Sequence, residues 1–146
     1  MKRNIWIVGV AVILLAVAPL ASAQVILPVP TTTSVTGTVK IEIPFRFSLN
    51  GKVFHSGSYL VSPLTDKTVA LRSADGKQSA VLMTSPVIAA SVSGPKLVFH
   101  RYGDDYFLTQ AWLRQSDTGR EFPMSADEIR LAREYSQQQV ILVAKK

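Results

Sequence analysis

The 146-residue chain carries 16 Lys and Arg against 10 Asp and Glu, a net charge of +6, and no cysteine. The missing cysteine excludes disulfide bridges and a lipid anchor on cysteine, and leaves the core and the backbone hydrogen bonds to supply stability. The basic residues are scattered rather than clustered, so no stripe tracks a phosphate backbone and no nucleic-acid partner is expected.

Met1-Lys2-Arg3-Asn4 opens the chain with two positive charges, and an apolar run follows from Ile5 to about Ala18. Pro19 interrupts that run, and Ala21-Ser22-Ala23 supplies small residues of the kind a signal peptidase accepts. This is a charged n-region, an apolar h-region and a cleavage site in order. Residues 1–23 are therefore expected to be a secretory signal peptide, cleaved before Gln24. The run is a little short of the roughly 20 apolar residues that a membrane span needs. Removal of those 23 residues takes away Lys2 and Arg3 but no acid, leaving 123 residues and a net charge of +4. The mature chain is expected to be exported, periplasmic or extracellular, with no membrane span and one domain.

Residues 24–38, with Pro28, Pro30 and a Thr-rich stretch, read as a flexible leader, and 39–146 as a single β-rich domain. In the segment from Lys40 to Phe47, the residues Ile41, Ile43, Phe45 and Phe47 alternate with polar positions and Pro44, which predicts a half-buried strand with Pro44 at an edge or bulge. Asn50-Gly51 predicts a tight turn into a strand at Lys52–Phe54. Ser56-Gly57 marks a bend, and Tyr59-Leu60-Val61 continues extended. Thr68–Arg72 pairs with Ala80–Thr84 across Asp75-Gly76, and Pro86 is expected to stop that strand. Val87–Val92 reads as strand or loop. Lys96–Tyr102 and Asp105–Leu113 form a hairpin across Gly103-Asp104. Ser125 and Glu128 make a capping box for a helix from Ala126 to about Gln138, its apolar stripe against a sheet and its charges outward. Val140–Ala144 is a last short strand. The predicted fold class is mainly β: a small antiparallel barrel or sandwich of six to eight strands with one C-terminal helix.

Three blocks stand out in combination. They are Ile43-Pro44-Phe45-Arg46-Phe47 with Asn50-Gly51-Lys52 and Ser56-Gly57-Ser58-Tyr59; Leu97 to Leu108; and Gly119 to Ser125 with the helix that follows. Together they resemble a group of short exported proteins of unknown function from Gram-negative soil bacteria, over roughly Ile41 to Arg133. The resemblance implies export and a single domain, and it brings no catalytic residues.

The residues themselves offer little chemistry. His55 and His100 are the only histidines, and they lie in different hairpins. A zinc site would need both plus a carboxylate, and a His100-Asp104-Asp105 cluster competes with the ordinary use of aspartate in turns. No Gly-x-Ser-x-Gly elbow is present, the carboxylates fall mostly at turns or the helix cap, and no phosphate loop occurs. No cofactor is expected.

The aromatic hairpin is the remaining feature. Phe99, His100, Arg101, Tyr102, Tyr106 and Trp112 are the candidate interaction surface, a stacking platform for a sugar, lipid or partner. Strand alternation sends some of these rings into the core instead. The reading that results is a non-enzymatic envelope module binding an envelope protein or polymer. Two other readings stand beside it: a small-ligand carrier for a lipid or sugar, which needs a cavity, and an envelope-polymer hydrolase, which needs titratable groups converging in a cleft.

Overall fold

The structure, a computed structural model, describes residues 37–144. The signal peptide expected over 1–23 and nearly all of the leader expected over 24–38 lie outside the described residues. So do Lys145 and Lys146.

Eleven strands and one helix are formed among the described residues. They are β1 (Val39–Ile43), β2 (Phe47–Leu49), β3 (Lys52–Phe54), β4 (Gly57–Thr65), β5 (Thr68–Ser73), β6 (Ser79–Met83), β7 (Ser85–Ser93), β8 (Lys96–Tyr102), β9 (Asp105–Trp112), β10 (Ser116–Glu121), α1 (Ala126–Glu134) and β11 (Gln138–Val143). One sheet has the order β1-β4-β5-β6, and the other β11-β8-β9-β10-β7 with β2 and β3 attached at β9. All pairings are antiparallel except the short parallel contact of β2 with β9 at Ser48 and Phe107. The mainly β class holds, and the arrangement is sandwich-like, with no closed barrel.

The strand count exceeds the expected six to eight because the stretch read as one strand over Lys40–Phe47 divides between two sheets, and because Ser116–Glu121 adds a strand. The alternation over Lys40–Phe47 is real: Ile41, Ile43 and Phe47 are buried while Lys40 and Glu42 are exposed. Pro44, which cannot donate to a ladder, divides the stretch into β1 in one sheet and β2 in the other. The same crossing occurs between β3 and β4, where Gly57 adopts φ 152, and between β6 and β7 at Thr84. Pro86 therefore does not stop the strand. It sits inside β7, opposite Arg120 of β10, and β7 is the last strand of its sheet, where proline is tolerated.

Tight turns behave as their residues dictate. Asn50 and Gly51 have φ 50 and 77, the left-handed pair of a two-residue hairpin. In the β5–β6 turn, the Asp75 carboxylate accepts from Ser73 Oγ at 2.6 Å and Lys77 N at 3.0 Å. These bonds, the hydroxyl first, hold its carboxyl below the usual range. The turn explains this carboxylate without a catalytic role.

The core lies between the sheets. Phe47 is its centre, with ring centroids 5.3 Å from Phe54, 5.4 Å from Tyr59 and 5.5 Å from Phe99. Ile43, Val61, Val69, Leu71, Leu97 and Leu108 fill the space around these rings.

β10 had no sequence signature, since Ser116–Glu121 shows no alternation. Its position is fixed by one glycine. A Cβ on Gly119 would lie 2.6 Å from Cδ2 and Cε2 of Trp112, so the indole lies flat against bare backbone. Gly119→Ala is expected to lower stability by about 1–3 kcal/mol through overpacking. Gly94→Ala, with nothing within 4 Å of the added carbon, is the control. Urea denaturation of both variants checks this, and equal midpoints would refute the close packing.

Candidate functional site

Period two and the burial pattern place the six candidate residues of the aromatic hairpin on two sides of the sheet. Leu97 and Phe99 belong to the core between the sheets. Val98, His100 and Tyr102 face the other way, and His100 meets α1 there. Phe99, Tyr102 and Trp112 are buried. They form no exposed platform, which corrects that expectation. Phe99 packs edge-on against Phe45 at 5.1 Å, Tyr102 against Phe107 at 5.9 Å, and Lys96 covers the Trp112 ring at 5.1 Å. Tyr106 stacks on Phe45 at 3.9 Å and 16°, with the Arg101 guanidinium 5.3 Å over its ring. Only Arg101 and Tyr106 remain together at a partly open surface.

The helix meets the sheet through a different residue from those its stripe suggested. Ile129 is exposed, and the buried residue of α1 is Glu128. Half of the capping box forms: Ser125 Oγ accepts from Glu128 N at 3.2 Å. The Glu128 carboxylate does not return to the cap. Its Oε1 lies 3.1 Å from His100 Nδ1, and it also engages the Tyr102 hydroxyl, which is 3.4 Å from Gln137 Oε1. Burial raises the Glu128 carboxyl above the usual range, and the bonds from His100 and Tyr102 partly offset that rise. Burial, and then the nearby Glu128 charge, raise the Tyr102 phenol. The helix is also shorter than expected. It ends at Glu134, with Tyr135 extended, so that the chain can turn into β11.

A histidine held by a buried carboxylate is the orienting half of a general base. Neither His100 nor Glu128 is in the lining of the clefts beside Leu113, Tyr106 and Tyr59. The imidazole, phenol and carboxylate act as a clamp of α1 on β8. Asp104 and Asp105 instead line a cleft of about 240 Å³ with Arg46 and Tyr106, and Asp104 lies 3.6 Å from Arg101. The His100-Asp104-Asp105 cluster thus splays apart. His55 sits at the β3–β4 bend, where its N–H donates to Gln78 Oε1 and its carbonyl accepts from the Tyr59 hydroxyl. Among the described residues, no three His, Asp or Glu side chains are grouped to hold a metal.

Two surface features remain. A cleft of about 310 Å³ opens between the β4–β5 turn and the β9–β10 connection, with Leu64, Leu113, Asp66, Arg114 and Arg120 in its lining. Arg120 and Asp66 approach to 4.0 Å across it. Beside the cleft, β10 leaves the body of its sheet. Only Arg120 and Glu121 pair with β9, while Ser116, Thr118 and Gly119 pair with β7. Ile88 and Val92 of β7 are 76% and 61% exposed. Sequence reasoning missed this arm, although one signal was present: Gln78 to Pro95 contains no charged residue.

No family model matches the chain, and no curated protein or solved structure matches it. Among the described residues, no helix is long and apolar enough to cross a membrane.

Proposed function

We propose that this chain is an exported, non-enzymatic interaction module that binds an envelope protein or polymer in the periplasm or the extracellular medium. The observation that carries the reading is the β7–β10 arm. A two-stranded ribbon by itself is marginal in water, and this one presents Ile88 and Val92 to solvent on an uncharged stretch. Exposed apolar residues gathered on one element are the usual mark of a partner surface. Export rests on the n-region, h-region and small-residue triplet at the N-terminus.

The experiment recovers the chain from an exporting host and uses it as bait for envelope proteins and polymers. The bait is expected to have a mass that starts at Gln24. Ile88→Lys and Val92→Lys keep their exposed positions and should keep the fold. Loss of an interface anchor of this kind weakens binding by roughly 2 kcal/mol, about thirtyfold. Capture that is unchanged in both variants, or no reproducible capture at all, would overturn the reading.

A further inference from the structure

The cleft of about 310 Å³ beside the arm contains an arginine whose charge the fold leaves largely unanswered. Arg120 stands on β10, opposite Ala111 of β9 and Pro86 of β7. Its neighbour Gly119 is pressed against Trp112. Strand alternation therefore turns Thr118 and Arg120 to the other side, and both line the cleft. The Arg120 side chain is only 23% exposed. Its guanidinium nevertheless makes no hydrogen bond among the described residues. The carboxylate beside it is that of Asp66, at 4.0 Å, beyond hydrogen-bond reach and itself fully in solvent. A guanidinium has five donors, and a mostly buried charge without a hydrogen-bonded partner is costly to the fold. An anion brought into the cleft would meet those donors in the two-pronged geometry that a carboxylate fits.

We propose that this cleft binds the carboxylate of an acidic sugar, a uronate unit, with Arg120 as the residue that takes it in place of Asp66. The site is separate from Ile88 and Val92, so it goes beyond the reading of the β7–β10 arm, and either can fail alone. Charge selects the anion. The lining carries two guanidinium groups, on Arg114 and Arg120, against the one carboxylate of Asp66. A monoanion balances that set, whereas a phosphate dianion overshoots it. Size and lining select the body of the ligand. A volume of about 310 Å³ lies at the small end of ligand sites, which suits one sugar ring. Such a ring has apolar C–H faces and a hydroxyl edge. Leu64 and Leu113 offer contact to the faces, and Thr65, Ser116 and Thr118 bring hydroxyls to the edge. The Thr65 hydroxyl accepts from Lys67 N at 3.2 Å, which leaves its own proton to donate to a sugar oxygen. A fatty acid would leave these hydroxyls unmatched.

The test titrates trigalacturonate into the exported chain by calorimetry. Its methyl ester, of the same backbone but without charge, and inorganic phosphate are the comparisons. The acid should bind about tenfold or more tighter than the ester, and raising the salt concentration should weaken the acid alone. Arg120→Lys keeps the charge and loses the fork, so it should weaken the acid about tenfold with the urea midpoint near that of the parent. Asp66→Asn changes a side chain that stands in solvent and leaves the fold intact. By removing the competing carboxylate it should tighten the acid about threefold and leave the ester unchanged. Acid and ester of equal affinity would overturn the proposal. So would phosphate binding as tightly as the acid, no saturable binding of the acid, or acid binding that neither variant alters.

Discussion

Phe99→Ala is expected to cost about 3–5 kcal/mol, a large share of the roughly 5–15 kcal/mol that holds a domain of this kind together. Phe99 is 0% exposed and stands edge-on to two rings, Phe45 at 86° and Phe47 at 80°. Truncation would remove its buried area and leave a cavity between the sheets that neither neighbour can fill without leaving its own packing. The edge-to-face contacts add about 0.5–1.5 kcal/mol each beyond area. Tyr106→Ala is the comparison. It removes a ring that stacks on Phe45 but is only partly buried, so less than half the loss is expected. Urea denaturation of both variants decides the matter. A Phe99→Ala chain that keeps its midpoint and loses partner binding would return Phe99 to the surface and restore the aromatic platform.

That experiment separates what the sequence could say about this hairpin from what it could not. The turns were legible because their backbone needs specific residues: Asn50-Gly51, Asp75-Gly76 and Gly103-Asp104 each contain positive-φ glycine. The start of α1 was legible because Ser125 caps it. The alternation of β1 and β2 was legible because one face of each is buried. β8 was harder, since its sheet is covered on both sides, by the core and by α1. A strand buried on two faces loses the polar alternation that would tell them apart. Alternation therefore showed that the six candidates divide between two surfaces, but not that Phe99, Tyr102 and Trp112 are all buried. β10 was invisible because its only buried residue is a glycine. The arm was overlooked for the opposite reason. Its residues look like core, and only the pairing shows that they are left outside.

Glu128 carries the second large effect, and its sign follows from burial. The folded chain holds the Glu128 proton more tightly than the unfolded chain, because burial raises the carboxyl and the donors on His100 and Tyr102 only partly offset it. The stability linked to that proton is fully present below the ordinary glutamate pKa and is lost as pH rises through the raised folded value. Glu128→Gln removes the titration while keeping an acceptor for His100 Nδ1 and the Tyr102 hydroxyl. Its stability should match the parent in acid and exceed it increasingly as pH rises from about 4 to about 8. The difference between the two chains isolates Glu128 from Asp75, whose lowered carboxyl pushes stability the opposite way in both. Glu128→Ala should lie below the glutamine variant at every pH, by roughly 1–3 kcal/mol, because His100 Nδ1 loses its buried partner. Urea midpoints for the three chains across that range test this. A parent and a glutamine variant with the same pH slope would mean that the carboxylate is solvated in the fold, and that α1 is held to β8 by something other than this clamp.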